Sequence, residues 1–249
     1  MFYDCIKIPS APMLDTSNGT NFSSMFASCS GLTFVPEYNT GNGTSFSEMF
    51  KQCRVLTSAP MLDTSKGTNF RGMFEGCWKL AFVPNYDTSN GTDFSYMFND
   101  CEVLTSAPML DTSKGLNFSE MFRECSALTT RPQIDLNKGT NMSNFVYACK
   151  KLENLTLYNI RKSIAIGYGS FWGHLLTIDS LVHTIKELCT VTTTQTLTMG
   201  ATNLAKITGL YCKITDDTNE KMPMELCEST DEGAMTLTDY ATLKGWLLK

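Results

Sequence analysis

Residues 57–80 read T-S-A-P-M-L-D-T-S-K-G-T-N-F-R-G-M-F-E-G-C-W-K-L, and residues 81–104 read A-F-V-P-N-Y-D-T-S-N-G-T-D-F-S-Y-M-F-N-D-C-E-V-L. The second stretch repeats the first at a distance of 24 residues, with no insertion or deletion. Further blocks begin at Pro9, Thr33, Thr105 and Thr129. Cysteine recurs at Cys29, Cys53, Cys77, Cys101, Cys125 and Cys149, and leucine three residues after each, from Leu32 to Leu152. Glycine recurs at Gly19, Gly43, Gly67, Gly91, Gly115 and Gly139. A Met-Phe pair, as at Met73-Phe74, recurs in each block until it becomes Phe145-Val146.

A unit this short has an apolar face it cannot bury alone, so a fixed period of this length implies stacked units sharing one core. A second period is superposed. The first, third and fifth blocks read Ser-Ala-Pro-Met-Leu-Asp and the second and fourth Phe-Val-Pro-x-Tyr, so small and large side chains alternate from one unit to the next. Such alternation lets neighbours interdigitate.

Within the unit, residues 56–62 are short and extended, with Pro60 fixing its own φ, and predict a strand in a parallel sheet with about 4.8 Å between units. Asp-Thr-Ser-Lys/Asn-Gly predicts a turn built on an Asp side chain, with glycine relieving the backbone. Phe70, Met73, Phe74 and Cys77 fall at i, i+3, i+4 and i+7, which predicts one or two helical turns with Asn69 as N-cap.

After Leu152 the strict period decays. Leu155–Leu157 still reads as a unit strand, and residues 164–168 as another irregular coil. A helix is expected over Ser180–Cys189, strands at residues 196–199 and 210–214, a helical turn at 203–207, and a helix capped by Thr236 or Thr238 ahead of Trp246-Leu247-Leu248. These residues would cover the last unit's apolar face and open sheet edge.

The pattern D-T-S-x-G-T-N-F-S-x-M-F-x-x-C-x-x-L over residues 1–152 resembles the BspA-like family of leucine-rich-repeat surface proteins. Its strand differs, since Ala-Pro-Met-Leu and Val-Pro-Asn-Tyr stand where the family has a longer, leucine-richer segment. The C-terminal part is similar to the ends of repeat proteins from gut bacteria and their phages. The resemblance implies an α/β solenoid: a leucine-rich-repeat-like right-handed coil of 24-residue units with a parallel sheet and short helical turns. Residues 1–152 would form the coil, and residues 153–249 irregular terminal repeats and a C-terminal cap. It also implies an extracellular or cell-surface binding protein without identifying its ligand; exposed aromatic and polar groups on the sheet would suit a host protein or glycan. A structural or receptor-binding component of a phage tail is the alternative.

Composition narrows the partners. The formal net charge is −5 and no run of Lys and Arg occurs, which argues against nucleic acid. No apolar stretch approaches the roughly 20 residues of a membrane span. The first residues lack the basic and apolar regions of a signal peptide. In the repeat register Met1, Phe2 and Cys5 precede Met25, Phe26 and Cys29 by one unit. The chain is therefore expected to open inside a repeat, with upstream units or a partner chain against its N-terminal edge.

Candidate chemical sites are few. The Cys column places equivalent side chains parallel, which suits buried thiols better than disulfides. Cys212 and Cys227 are the best candidates for a bridge. No C-x-x-C pair occurs, and no cofactor or metal is implied. The Asp15–Gly19 turn and its copies lack the alternating carboxylates and distal Glu of a calcium loop, and Asn39 breaks their column. Of the two histidines, His183 is expected to pair with Glu187 on a helix surface. No nucleophile stands beside either, so no catalytic residue is assigned. The Asn-x-Ser/Thr sequences, as at Asn18, Asn42 and Asn90, follow from the repeat's composition. What remains is a surface. The variable strand column Met13, Glu37, Met61, Asn85, Met109 and Gln133 is expected to face a ligand, with the Leu14/Tyr38/Leu62/Tyr86/Leu110 column packed inside. Phe34 and Phe82 either join that surface or fill the core of alternate units.

Overall fold

In the computed structural model the backbone N–H groups of Phe46, Glu48, Phe50 and Gln52 donate to the carbonyls of Asn69, Arg71, Met73 and Glu75, each 23 residues further on. The N–H groups between them, on Met49, Lys51 and Cys53, donate three residues back to Phe46, Glu48 and Phe50. The same alternation runs from Phe22 to Cys125, so each unit is stitched to the next. The structure describes residues 2–129, 132–160, 176–187, 195–197, 204–205, 207–208, 210–214, 224–232, 234–244 and 246–248. The coil expected at residues 164–168 lies outside them.

This stitching corrects the helical expectation for the Asn-Phe-Ser-x-Met-Phe segment. The segment is a run of consecutive turns, with positive φ at every fourth residue: Glu48 and Gln52, Gly72 and Gly76, Tyr96 and Asp100, Glu120 and Glu124. An α-helix would direct every N–H to its own carbonyl four residues back and leave none for the neighbouring unit. Asn69 is accordingly not a helix N-cap. Its Oδ1 accepts from the Arg71 N–H at 3.0 Å, closing an Asx turn, as Asn21, Asp93, Asn117 and Asn141 do in their units.

Two parallel ladders join the units. One is continuous and runs Asn21–Ser45–Asn69–Asp93–Asn117–Asn141. It lies in the segment expected to start a helix. The other, in the expected strand, pairs Ser10 with Phe34 and Ser58 with Phe82, and none is recorded between Phe34 and Ser58 among the described residues. It lengthens only at β1 (Gln133–Asp135) and β2 (Thr156–Tyr158), which pair in parallel.

The 48-residue period has a visible cause. Tyr38 and Tyr86, in even units, donate their hydroxyls to the carbonyls of Pro12 and Pro60 in the odd unit before, at 2.6 and 2.7 Å. Units are therefore tied in pairs.

The core is two columns of phenylalanine. Phe22, Phe46, Phe70, Phe94 and Phe118 stack with ring centroids 5.7–5.8 Å apart. Phe2, Phe26, Phe50, Phe74, Phe98 and Phe122 stack at 5.4–5.8 Å. The second column ends where the Met-Phe pair is lost, with Phe145 set edge-on to Phe122. The glycine column exists for these rings: a Cβ on Gly67 would stand 2.6 Å from Phe70 Cζ.

Beyond β2, helix α1 (Ile178–Glu187) buries Leu181 and Ile185. The Glu187 side chain, the expected partner of His183, lies outside the described residues. A His183 ring nitrogen lies 3.0 Å from the Leu157 carbonyl, and the ring meets Tyr158 edge-on. Strand β3 (Gln195–Leu197) pairs in parallel with β7 (Trp246–Leu248). Strand β4 (Tyr211–Ile214) lies between β5 (Met224–Cys227) and β6 (Met235–Thr236), antiparallel to both. Helix α2 (Leu237–Leu243) starts at Thr236, whose Oγ1 accepts from the Asp239 N–H at 3.0 Å. The β4–β5 register sets Cys212 opposite Leu226 and Cys227 opposite Tyr211. The two cysteines are out of step on adjacent strands, and Cys212 is a thiol. With Cys212 a thiol, the candidate bridge to Cys227 is not formed.

A candidate ligand surface

In the extended segment of each unit the burial pattern is set by three inward positions. Ala11, Val35, Ala59 and Val83 are buried, then Tyr38, Leu62 and Tyr86, then Thr40, Thr64, Thr88 and Thr112. Leu14 and Leu110, in the second of these columns, are half-buried. The threonine hydroxyls donate to carbonyls of the next unit, as Thr64 Oγ1 does to Asp87 at 2.7 Å. Satisfied in this way, a buried hydroxyl costs little.

What these columns leave outside is equally regular. Met13, Glu37, Met61, Asn85, Met109 and Gln133 are all exposed, with Met13 at 75% and Met109 at 78%. Phe34 and Phe82 are 59% and 60% exposed. The core-filling alternative for these two rings is thereby removed: Val35 and Val83 take the inward place, and the rings stand beside Ser58 and its equivalents on the ladder. The Asn85 carboxamide accepts from the Met109 N–H at 3.1 Å, which fixes one polar member of the column across a unit boundary.

Two residues beyond each of these positions lies an aspartate or its substitute. Asp15, Asn39, Asp63, Asp87 and Asp111 are exposed and share the outward face by strand alternation. Their side chains close Asx turns. Asp63 Oδ1 accepts from the Ser65 N–H at 3.0 Å and the Ser65 hydroxyl at 2.7 Å. The Ser65 hydroxyl and N–H hold the Asp63 carboxyl below the ordinary aspartate value, and the same holds at Asp15, Asp87 and Asp111 with their serines. Asn39 makes the equivalent turn with the Gly41 N–H at 3.3 Å. These aspartates close turns, as their sequence predicts, and also line the surface. Their i+2 spacing from Met13, Met61 and Met109 was the signal that they also border the surface.

A second exposed cluster had no sequence signal, since its members sit in different units. The Arg54 guanidinium lies 4.4 Å over the Trp78 ring, and Trp78 Nε1 donates to Asp100 at 2.7 Å. A concavity of about 330 Å³ opens among Leu14, Asn18, Asn21, Phe22 and Met25 and contains no histidine or cysteine.

The cysteine column is buried from Cys29 to Cys149. Each thiol donates to a phenylalanine carbonyl of the unit before, as Cys101 does to Phe74 at 3.2 Å. Burial pushes the Cys77 and Cys125 thiols up to about 12. A nucleophilic cysteine needs the opposite shift. Among the described residues no group of three His, Cys, Asp or Glu is placed to hold a metal ion. His174 lies outside them. No helix among them is long and apolar enough to cross a membrane.

The chain matches the family described as "Mycoplasma protein of unknown function, DUF285" twice, over residues 1–81 and 59–160. The two matches overlap within the repeats and together span residues 1–160. No curated protein and no solved structure matches the chain.

Proposed function

The chain belongs to the DUF285 repeat family, and from that premise we propose that it is a non-enzymatic binding or adhesion module carrying its ligand on the outward face of the stacked strands. Its fold is read as a leucine-rich-repeat-like solenoid of the BspA type, displayed at a bacterial surface or outside the cell. The stacked units serve as a rigid spacer, and a host protein or glycan is the ligand. The observation that carries this reading is the exposure of Phe34 and Phe82 at 59% and 60%, in a column three positions before the bare methionines Met13, Met61 and Met109. Large apolar side chains set side by side in water are costly unless a partner covers them. Nothing in their own unit needs them there, because Val35 and Val83 already fill the inward place.

The test is a screen of the full chain against host-protein and glycan panels, repeated with Phe34→Ser/Phe82→Ser. Binding by the native chain that is lost in the variant is the expected result. Broad panels with no binder, or binding untouched by the double substitution, would overturn the proposal.

A further inference from the structure

The outward face carries charge as well as apolar surface. The columns through Phe34, Met61 and Asp63 hold Glu37, Asp15, Asp63, Asp87, Asp111 and Asp135, and among the described residues no lysine or arginine. Lys66 and Lys114 stand close enough to help lower the Asp63 and Asp111 carboxyls, but neither forms an ion pair with them among the described residues. Lys66 Nζ donates to Asn42 Oδ1 and Lys114 Nζ to Asn90 Oδ1, both at 2.8 Å. No hydrogen bond to Oδ2 of Asp15, Asp87 or Asp111 is recorded among the described residues, so each row member keeps an oxygen available. The carboxylates are also pre-oriented, since serine N–H groups hold Oδ1 at 3.0 Å in all four turns from Asp15 to Asp111.

The stripe is three parallel columns, with Phe34 and Phe82 three positions before the methionines and the aspartates two positions after them. Units follow one another at about 4.8 Å, so Phe34 and Phe82, or Met61 and Met109, stand roughly 10 Å apart along the stack. The aspartate row runs parallel to the methionines, about 7 Å to one side at two residues of strand rise. An apolar row bordered on one side by negative charge is the complement of a helix with an apolar face and a basic flank. Seven residues of helix cover about 10.5 Å, so residues at i and i+7 reach successive members of the apolar row. Methionine suits such a contact, being flexible and polarisable enough to fit varied apolar faces.

Resting on the binding-module reading, we infer that the stripe of Met13, Phe34, Met61, Phe82 and Met109 with its aspartate border docks a basic amphipathic helical segment of a partner protein. The aspartates steer and orient it, and the apolar row supplies the burial.

The experiment uses the full chain and three fluorescently labelled peptides: a helical peptide with a leucine face and lysine flanks, its glutamate-flanked counterpart, and a glutamine-flanked one. Anisotropy is read at low and high salt. The lysine peptide binds, the glutamate peptide does not, and salt weakens the complex. Asp63→Asn/Asp87→Asn/Asp111→Asn weakens binding about tenfold and flattens its salt dependence. These variants keep the turn, because Asn39 already closes one natively. Phe34→Ser/Phe82→Ser abolishes binding. Equal binding of all three peptides, or no effect of the aspartate variant, overturns the inference. So does binding of the stripe to a glycan or to anionic vesicles in place of the peptide. In each of these cases loss of the observed binding in Phe34→Ser/Phe82→Ser leaves the binding-module reading standing. If no probe depends on Phe34 and Phe82, both fall.

Discussion

Cys77 Sγ lies 3.0 Å from the Phe50 carbonyl oxygen and donates to it across a unit boundary. That carbonyl also accepts the Cys53 N–H at 3.0 Å, so both its acceptor positions are used inside a dry core. Alanine at position 77 would remove one donor and the volume of a sulfur. Cys77→Ala should therefore cost about 1–2 kcal/mol, read from urea denaturation. A midpoint equal to the native one would reduce the thiol to inert filler.

The same burial makes a pH prediction. The Cys77 and Cys125 thiols stand at about 12, above the ordinary 9.0, because burial disfavours the thiolate. A raised folded value means the neutral thiol stabilises the fold fully below about pH 9 and that this contribution is lost as pH rises through the folded value. Stability should fall in alkali from about pH 9 upward, and Cys77→Ala/Cys125→Ala should flatten that limb. In the native chain at pH 8, a thiol alkylating agent should spare Cys77 and Cys125 and modify the half-buried Cys5, read by mass spectrometry of the digest.

Phe70 and Phe82 are twelve residues apart and face opposite ways. Phe70 is fully buried, stacked between Phe46 and Phe94 at 5.8 and 5.7 Å. Phe70→Ala should cost about 3–5 kcal/mol, since neighbouring units cannot close the gap. Phe82→Ser should shift stability by no more than about 0.5 kcal/mol. Equal effects in thermal melts would contradict the inside–outside assignment.

The aspartate turns predict an acid limb. Ser65 holds the Asp63 carboxyl below its ordinary 3.8, and the depressed value stabilises the fold above that pH and is lost as pH falls through the folded value. Asp63→Asn should keep the melting temperature near native and remove its share of the acid limb. Asp63→Ala should lower the melting temperature at every pH, because the Ser65 N–H loses its acceptor. Identical melts for the two variants would separate the turn from the carboxyl chemistry.

The inward residues were legible from spacing alone. Phe70, Met73, Phe74 and Cys77 are all buried, as their i, i+3, i+4, i+7 pattern requires. The backbone that places them there is not legible from that spacing, because a turn chain with a left-handed residue every fourth position presents the same inward set as a helix. The clue lay in Gly72 and Gly76, four apart in one unit, where other units carry Asp100, Asn144 and other residues. The exposed methionine column was legible as variability in one position. The Cys-to-carbonyl ladder, the tyrosine ties to Pro12 and Pro60, and the Arg54–Trp78–Asp100 cluster were not. Each joins residues 22 to 27 apart, and the register across units is set by stacking rather than by neighbours in the chain.

The turn and helix readings separate cleanly at Ala148, which sits at φ +61° with only a methyl side chain. In a helical turn, Ala148→Gly would destabilise by about 0.5–1 kcal/mol through the entropy of the unfolded chain. In the left-handed region a non-glycine residue carries a penalty of about 1–2 kcal/mol, so removing the Cβ offsets that entropy and should leave the protein neutral or slightly more stable. Gly76→Ala runs the other way. At φ +70° the new Cβ would also run into the Gln52 side-chain amide, so both backbone and neighbour resist it. Adding Gln52→Ala to Gly76→Ala should recover the part due to contact and leave the part due to φ. Denaturation of the three variants gives each contribution separately. Loss of stability in Ala148→Gly, with full rescue of Gly76→Ala by Gln52→Ala, would return the segment to a helix.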